Sequence, residues 1–377
     1  MKFKCIPEDF IVEEQYNKTL FEQKNEGKNL YTYFILTKRE YTQQKAIEKI
    51  ARVFNTDYRQ VYFAGTKDKV GITKQLICIY NLHKDWEKNV EYFNTNVQDL
   101  KLEYFGQYLG RIHLGDNFGN SFSIVVRDLT EQEIETAKHN YETDLKLNGF
   151  INYFDSQRFG YAGNTHIVGK YLLQKNSKLA LFEFLTALPE NASDKLRTKI
   201  AFLKENYEQL ILGTCDYSSI EPLLTNDETR MLNYMRKHSN DTLGAIKILP
   251  KKLMTLFIHA YQSYIFNEIA KNLTLEEKKT LKTLPLVAQD LKGEGKIYDQ
   301  IISILTKDNL SLDSFNITFM PEYQFQTIDR ELKLFVSDLT FSGTTNDELH
   351  DGKFKCTIKF TLPSSAYATN IIKQLFE

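Results

Sequence analysis

Apolar and polar positions alternate with strand-like spacing near both ends of the chain and with helical spacing through its middle. Residues 61–63 and 76–80 are aliphatic, aromatic or β-branched runs of strand length on either side of a glycine-bounded loop. Residues 10–14 follow a turn at Pro7 and begin another strand, with Phe10 and Val12 on one face, and residues 30–37 read the same way. Thr42 then opens a helix in which Ala46, Ile47, Ile50, Ala51 and Phe54 recur at helical spacing. Strands are predicted again at 100–104 and 122–127. Thr130-Glu131-Gln132-Glu133 has the form of a capping box that starts a helix ending near Gly149. This alternation predicts a mixed α/β sheet domain over the first part of the chain.

From about residue 167 to 309 the pattern changes to long, charged, helical segments, such as 177–188, 226–238 and 251–272, which predict a second domain. In the last of these, Leu253, Leu256, Phe257, Ala260, Tyr264 and Ile265 form an apolar stripe that reads as core. Residues 331–336 and 354–361 return to strand character, with Ile358 and Phe360 on one face, and a final helix runs through Leu375.

Composition changes this picture little. A chain of 377 residues with 42% hydrophobic content is long enough for two domains and a substantial core. The first residues form no apolar signal segment, and no run approaches the roughly 18 apolar residues of a membrane span, so a soluble, cytoplasmic protein is expected. Cys5, Cys78, Cys215 and Cys356 are far apart, and the histidines show no ligand spacing, so neither a metal nor a disulfide framework is expected. The net charge of −1 does not fit a uniformly basic nucleic-acid binder, and any such surface must be local. Residues 1–80 do carry more Lys and Arg than Asp and Glu.

Two stretches carry candidate chemistry. In Phe63-Ala64-Gly65-Thr66-Lys67-Asp68-Lys69-Val70-Gly71, one carboxylate lies between two lysines, which favour its charged form and make Asp68 available as a nucleophile or base. The plainer reading is a solvated turn. A phosphate-cradling loop is excluded by the spacing of Gly65 and Gly71 and by Ile72, where such a loop has lysine. In Asn152-Tyr153-Phe154-Asp155-Ser156-Gln157-Arg158-Phe159-Gly160, two aromatics, an amide and an arginine suit an unstacked base and its phosphate. They equally suit a buried aromatic anchor beside a surface arginine.

Ala64-Gly65-Thr66-Lys67-Asp68-Lys69, followed by Thr73 and Gln75, resembles the signature of the TruD family of tRNA pseudouridine synthases. Segments at 4–14, 109–122, 152–160 and 362–369 resemble that family's other motifs in the same order, as does His259 to Asn267 in its inserted domain. The resemblance implies an α+β fold: a mixed-sheet pseudouridine-synthase catalytic domain from residues 1–168 and 331–377, with a mainly helical TRUD domain inserted at 169–330. It implies Asp68 as catalytic nucleophile, with Lys4 pairing it, and Phe10, Asn152, Phe154 and Tyr367 around the substrate; by their charge, Lys67, Lys69 and Arg158 are expected to meet its phosphates. The implied substrate is tRNA, at uridine 13 of the D arm, with no cofactor, metal or obligate protein partner. Gly27-Lys28-Asn29 lacks the family's histidine, Asp155 replaces a glycine, and Ser365 and Ala366 replace glycine and serine. The missing histidine and the altered 362–369 signature are the best support for the alternative, a non-catalytic RNA-binding protein on the same scaffold; the intact Asp68 loop and Asn152 motif argue against it. The chemistry asks for a nucleophile that adds to the uracil ring or captures the ribose carbon, and Asp68 fits either role.

Overall fold

The strands predicted at the two chain ends meet in one sheet. The structure, a computed structural model, describes residues 1–16, 30–82, 85–321, 323–364 and 366–377. The departures at Gly27-Lys28-Asn29 and Ser365 lie outside the described residues. The main path of the ten-stranded sheet runs Thr340–Phe341, Phe354–Pro363, Asn117–Leu129, Phe10–Tyr16, Ile72–Tyr80, Tyr31–Arg39 and Leu100–Tyr108. Neighbours on this path are antiparallel except Phe10–Tyr16 with Ile72–Tyr80, which run parallel with Ile11 opposite Ile72. A parallel pair requires a crossover. The chain makes it through the Tyr31–Arg39 strand and the Gln43–Val53 helix.

Alternation decides which side chains the sheet buries. Val12, Ile124, Val126, Ile358 and Phe360 pack with Ile134, Ile371 and Leu375 from the Glu131–Asn140 and Ala368–Phe376 helices. Further along the sheet, Phe34, Leu36, Ile77 and Ile79 pack with Ala46, Ile47 and Ile50, the stripe read from the sequence. Thr42 occupies the N-cap of that helix but makes no side-chain capping bond. The capping box at Thr130 is complete: its hydroxyl accepts the Glu133 N–H at 3.2 Å, and the Glu133 carboxylate accepts the Thr130 N–H at 2.7 Å.

The chain divides into two compact units, Met1–Phe150 with Leu334–Glu377, and Ile151–Lys333. The first boundary precedes the expected 168/169 because the Thr165–Leu173 helix packs along Lys251–Asn272. At that crossing a Cβ on Gly169 would lie 2.1 Å from the Phe257 carbonyl oxygen, so only glycine permits the approach. The second boundary follows 330/331, and residues 331–336 are not one strand. Ile328–Glu331 pairs antiparallel with Thr283–Leu286 inside the helical unit, and Lys333–Leu334 is a separate short strand.

Lys251–Asn272 is the central helix of the second unit. It buries Met254, Phe257, Ile258, Ala260, Tyr261, Ile265, Phe266 and Ile269, whereas Leu253, Leu256 and Tyr264 of the expected stripe are only half-buried. The single stripe is therefore corrected to a helix packed on several sides, by Thr165–Leu173, Lys296–Lys307 and Thr283–Leu286. Among the described residues, no helix is long and apolar enough to cross a membrane.

Candidate active site

In the first unit, the loop carrying Asp68 joins the Val61–Phe63 and Ile72–Tyr80 strands, which pair antiparallel with Phe63 opposite Ile77. Asp68 and Lys69 are exposed, but Lys67 is only 7% exposed. The Lys67 ammonium is 2.5 Å from Oε1 of Glu14, a buried residue of the Phe10–Tyr16 strand whose other carboxylate oxygen accepts the Leu76 N–H at 3.2 Å. Burial holds the Glu14 carboxyl above its usual range, and Lys67 opposes the shift by charge and hydrogen bond. The Lys67 charge is thus directed inward, toward Glu14, and Lys69 is the exposed cation of the pair.

A second lysine, missed in the sequence, holds the same loop from below. Lys38 is fully buried, and its Nζ donates to the carbonyls of Tyr41, Lys67 and Asp68 at 3.0, 3.3 and 2.5 Å. Its position was readable, because Phe34, Leu36 and Lys38 alternate onto one buried face of their strand. Gln75 adds a bond to the Gly65 carbonyl at 3.3 Å, and the Gly115 N–H donates to the Ala64 carbonyl at 2.8 Å, joining the 109–122 segment to the loop.

The Lys4 to Phe10 segment reaches the far end of the same loop. A Cβ on Gly71, where φ is +96°, would lie 2.3 Å from the Phe10 carbonyl oxygen, so strand and loop touch backbone to backbone. The Lys4 Nζ lies 4.0 Å from the centroid of the Phe10 ring, within cation–π reach. Phe10 itself is 4% exposed and belongs to the core, the reading its alternation favoured. The intervening turn is fixed by buried Asp9, whose carboxylate accepts the N–H groups of Cys5 and Ile6 and pairs at 2.9 Å with buried Arg127. Arg127 also binds Asp347 at 2.7 Å, tying the turn to the C-terminal part of the unit.

The last motif of this unit reaches the others through strand pairing. Gly119 lies opposite Pro363 and Phe122 opposite Phe360, and the Ser364 hydroxyl donates to the Asn117 carbonyl at 3.1 Å. Half-buried Tyr367 sits at the N-cap of the Ala368–Phe376 helix.

Asn152, Phe154 and Arg158 belong to the second unit. The Asn152 side chain donates to the Glu331 carbonyl at 3.0 Å and accepts from Arg330 Nη2 at 2.7 Å. The same Arg330 guanidinium lies 4.0 Å from the Phe154 ring centroid, so one residue touches both motif side chains. Asn267 of the central helix brackets Phe154, accepting its N–H at 2.9 Å and donating to its carbonyl at 2.8 Å. Arg158 is half-buried, donates to the Ser263 hydroxyl at 2.9 Å and lies 5.4 Å from the Phe154 ring. Asp155 has φ −84° and ψ 170°, an extended conformation open to any residue, so its departure from glycine strains no backbone. Arg330 and Asn267 gave no signal as loop partners, since each acts across a long sequence separation.

Among the described residues, no group of three or more His, Cys, Asp or Glu could hold a metal ion. Asp68 is an exposed carboxylate on a loop whose backbone is anchored from within the core, and a carboxylate so held has the chemistry of a nucleophile or a base. The family described as tRNA pseudouridine synthase D (TruD) matches residues 1–284. "Probable tRNA pseudouridine synthase D" of Methanosarcina acetivorans is 28% identical over 97% of this chain and 90% of its own length. "Probable tRNA pseudouridine synthase D 2" of Methanocaldococcus jannaschii is 29% identical over 100% and 92%. A crystal structure of the "Putative tRNA pseudouridine synthase D (TruD)" from Methanosarcina mazei superposes with a TM-score of 0.78 at 26% identity, covering 100% of this chain and 93% of its own. The chain belongs to the TruD family, the tRNA pseudouridine synthase D enzymes.

Proposed function

We propose that this enzyme isomerises uridine 13 in the D arm of tRNA to pseudouridine, with Asp68 as nucleophile. The observation that carries the reading is Asp68 itself, an exposed carboxylate on a loop held by Lys38, by the Lys67–Glu14 pair and by the close approach of Phe10 at Gly71. In the reaction the N1–C1′ bond breaks and a C5–C1′ bond forms, while C5 loses a proton and N1 gains one. The rearrangement is redox-neutral and the product is an isomer of the substrate. Asp68 supplies a covalent hold during the rearrangement, at C6 of the ring or at C1′ of the ribose. The target uridine must leave its stack to reach an aspartate, and aromatics with arginine replace that stacking. Phe154 with Arg158, and Tyr367, are the groups we assign to this role, with Lys4 beside the Asp68 loop. In this reading the sheet unit is the catalytic domain and Ile151–Lys333 the inserted TRUD domain.

The test is pseudouridine mapping with carbodiimide on a tRNA transcript treated with purified protein. Asp68→Ala and Asp68→Asn are expected to lower the single-turnover rate by about 10³-fold or more while tRNA affinity is kept. A transcript with cytidine at position 13 is expected to give no product. Full modification by Asp68→Ala would remove the aspartate from its role, and product from the altered transcript would move the target nucleotide.

A further inference from the structure

We propose that Lys38 is a positioning residue that sets the direction of the Asp68 side chain, an inference that rests on Asp68 being the nucleophile. An ammonium has three N–H donors. Those of Lys38 meet three backbone carbonyls, at Tyr41, Lys67 and Asp68. The Lys67 carbonyl belongs to the peptide entering Asp68, and the Asp68 carbonyl to the peptide leaving it. Peptide units are planar, so tying down the units on both sides of one Cα restricts its φ and ψ and with them the Cα–Cβ direction. The third bond, to Tyr41, lies just before the Gln43–Val53 helix and joins the loop to an element packed in the core. Lys67 anchors the loop independently through Glu14, so the two lysines grip it by different parts: one by its backbone, the other by a side chain.

The energetics argue that Lys38 is not there for stability. Among the described residues no carboxylate bonds to its ammonium, and it shares a face with Phe34 and Leu36, where an aliphatic residue would be buried without a desolvation penalty. That burial pulls its pKa down to about 8, against the opposing charge of Asp68 and with the reinforcing charge of Lys67, the charged groups that face it. Once neutral, the amine has two N–H groups for three carbonyls. The loop then loses a tether as the pH passes through this range.

The experiment measures single-turnover pseudouridine formation against pH, tRNA affinity, and tryptic cleavage after Lys69 in the native protein, for wild type, Lys38→Met and Lys38→Arg. Wild type is expected to lose rate above about pH 8. Lys38→Met is expected to be slower by about 10²-fold below about pH 8, to lack the alkaline limb so that the gap narrows above it, and to keep its affinity. It is also expected to be cut about tenfold faster at the loop. Lys38→Arg keeps its charge and is expected to shift the alkaline limb upward; this variant carries the test if Lys38→Met does not fold. Wild-type rate and cleavage in folded Lys38→Met, or an unmoved alkaline limb in Lys38→Arg, would overturn the proposal. If wild type forms no pseudouridine, the functional reading fails instead, and loop cleavage alone decides whether Lys38 holds the loop.

Discussion

Lys67 and Lys69 flank Asp68 symmetrically in the sequence, yet their side chains meet opposite environments. Lys67 is buried against Glu14 and Lys69 is exposed. Removing one member of a buried pair strands the other charge in a medium that solvates it poorly, whereas an exposed lysine leaves water in its place. Lys67→Met is therefore expected to lower stability by about 3 to 5 kcal/mol. Lys69→Met should change it by no more than about 0.5 kcal/mol. Urea denaturation of both variants reads the difference, and equal midpoints would show that the Glu14 pair does not anchor the loop. The sign of the pH effect follows from Glu14. Its folded pKa is raised, so the folded state holds its proton more tightly, and this group's contribution is present at low pH and fades as pH rises from the ordinary carboxylate range through the folded value.

At the scale of elements, patterns confined to a few neighbouring residues were the most legible. The capping box at Thr130, the stripe on Gln43–Val53 and the alternation of Phe354–Pro363 depend on residues close in sequence, and each forms as read. The Lys251–Asn272 helix was read less completely. Polar Gln262, Ser263 and Asn267 interrupt its apolar pattern, yet all three are buried and hydrogen-bonded, to the Val287 carbonyl, to Arg158 and to Phe154. Gly71 shows how an element boundary becomes a functional constraint. Its φ of +96° and the nearby Phe10 carbonyl leave no room for a side chain where the loop enters the Ile72–Tyr80 strand. Gly71→Ala is expected to cost about 2 to 4 kcal/mol and to lower activity, because the strain falls between Phe10 and the Asp68 loop. A variant with unchanged denaturation midpoint and turnover would show that the two segments adjust independently.

For the whole molecule, the net charge of −1 means that no uniform basic field draws in RNA, and phosphate contacts must come from particular side chains. With Lys67 committed to Glu14, exposed Lys69 and half-buried Arg158 are the cations from the candidate motifs that we assign to phosphate. Neutralised phosphates release counterions, so tRNA affinity is expected to fall steeply with salt. Lys69→Ala combined with Arg158→Ala should reduce the logarithmic salt slope by about 1 to 2. Affinity measured at several salt concentrations checks this, and an unchanged slope would place the phosphate contacts on other residues.

The sequence by itself determined most of the strands and helices, though not 331–336, and the order of the motifs, because these depend on local period, turn chemistry and residue type; Asp68 stood out through the resemblance of its loop to a family signature. It did not determine how the motifs are held. Glu14 reaches Lys67, Lys38 reaches the Asp68 carbonyl, Asn267 brackets Phe154, and Arg330 touches Asn152 and Phe154 together. Each partnership spans a long stretch of chain and joins residue types that are ordinary alone: a strand lysine, a surface-like glutamate, a helix asparagine. Lys38 lies one residue past the strand predicted at 30–37, and only the tertiary structure supplied the three carbonyls that make a buried ammonium there tolerable.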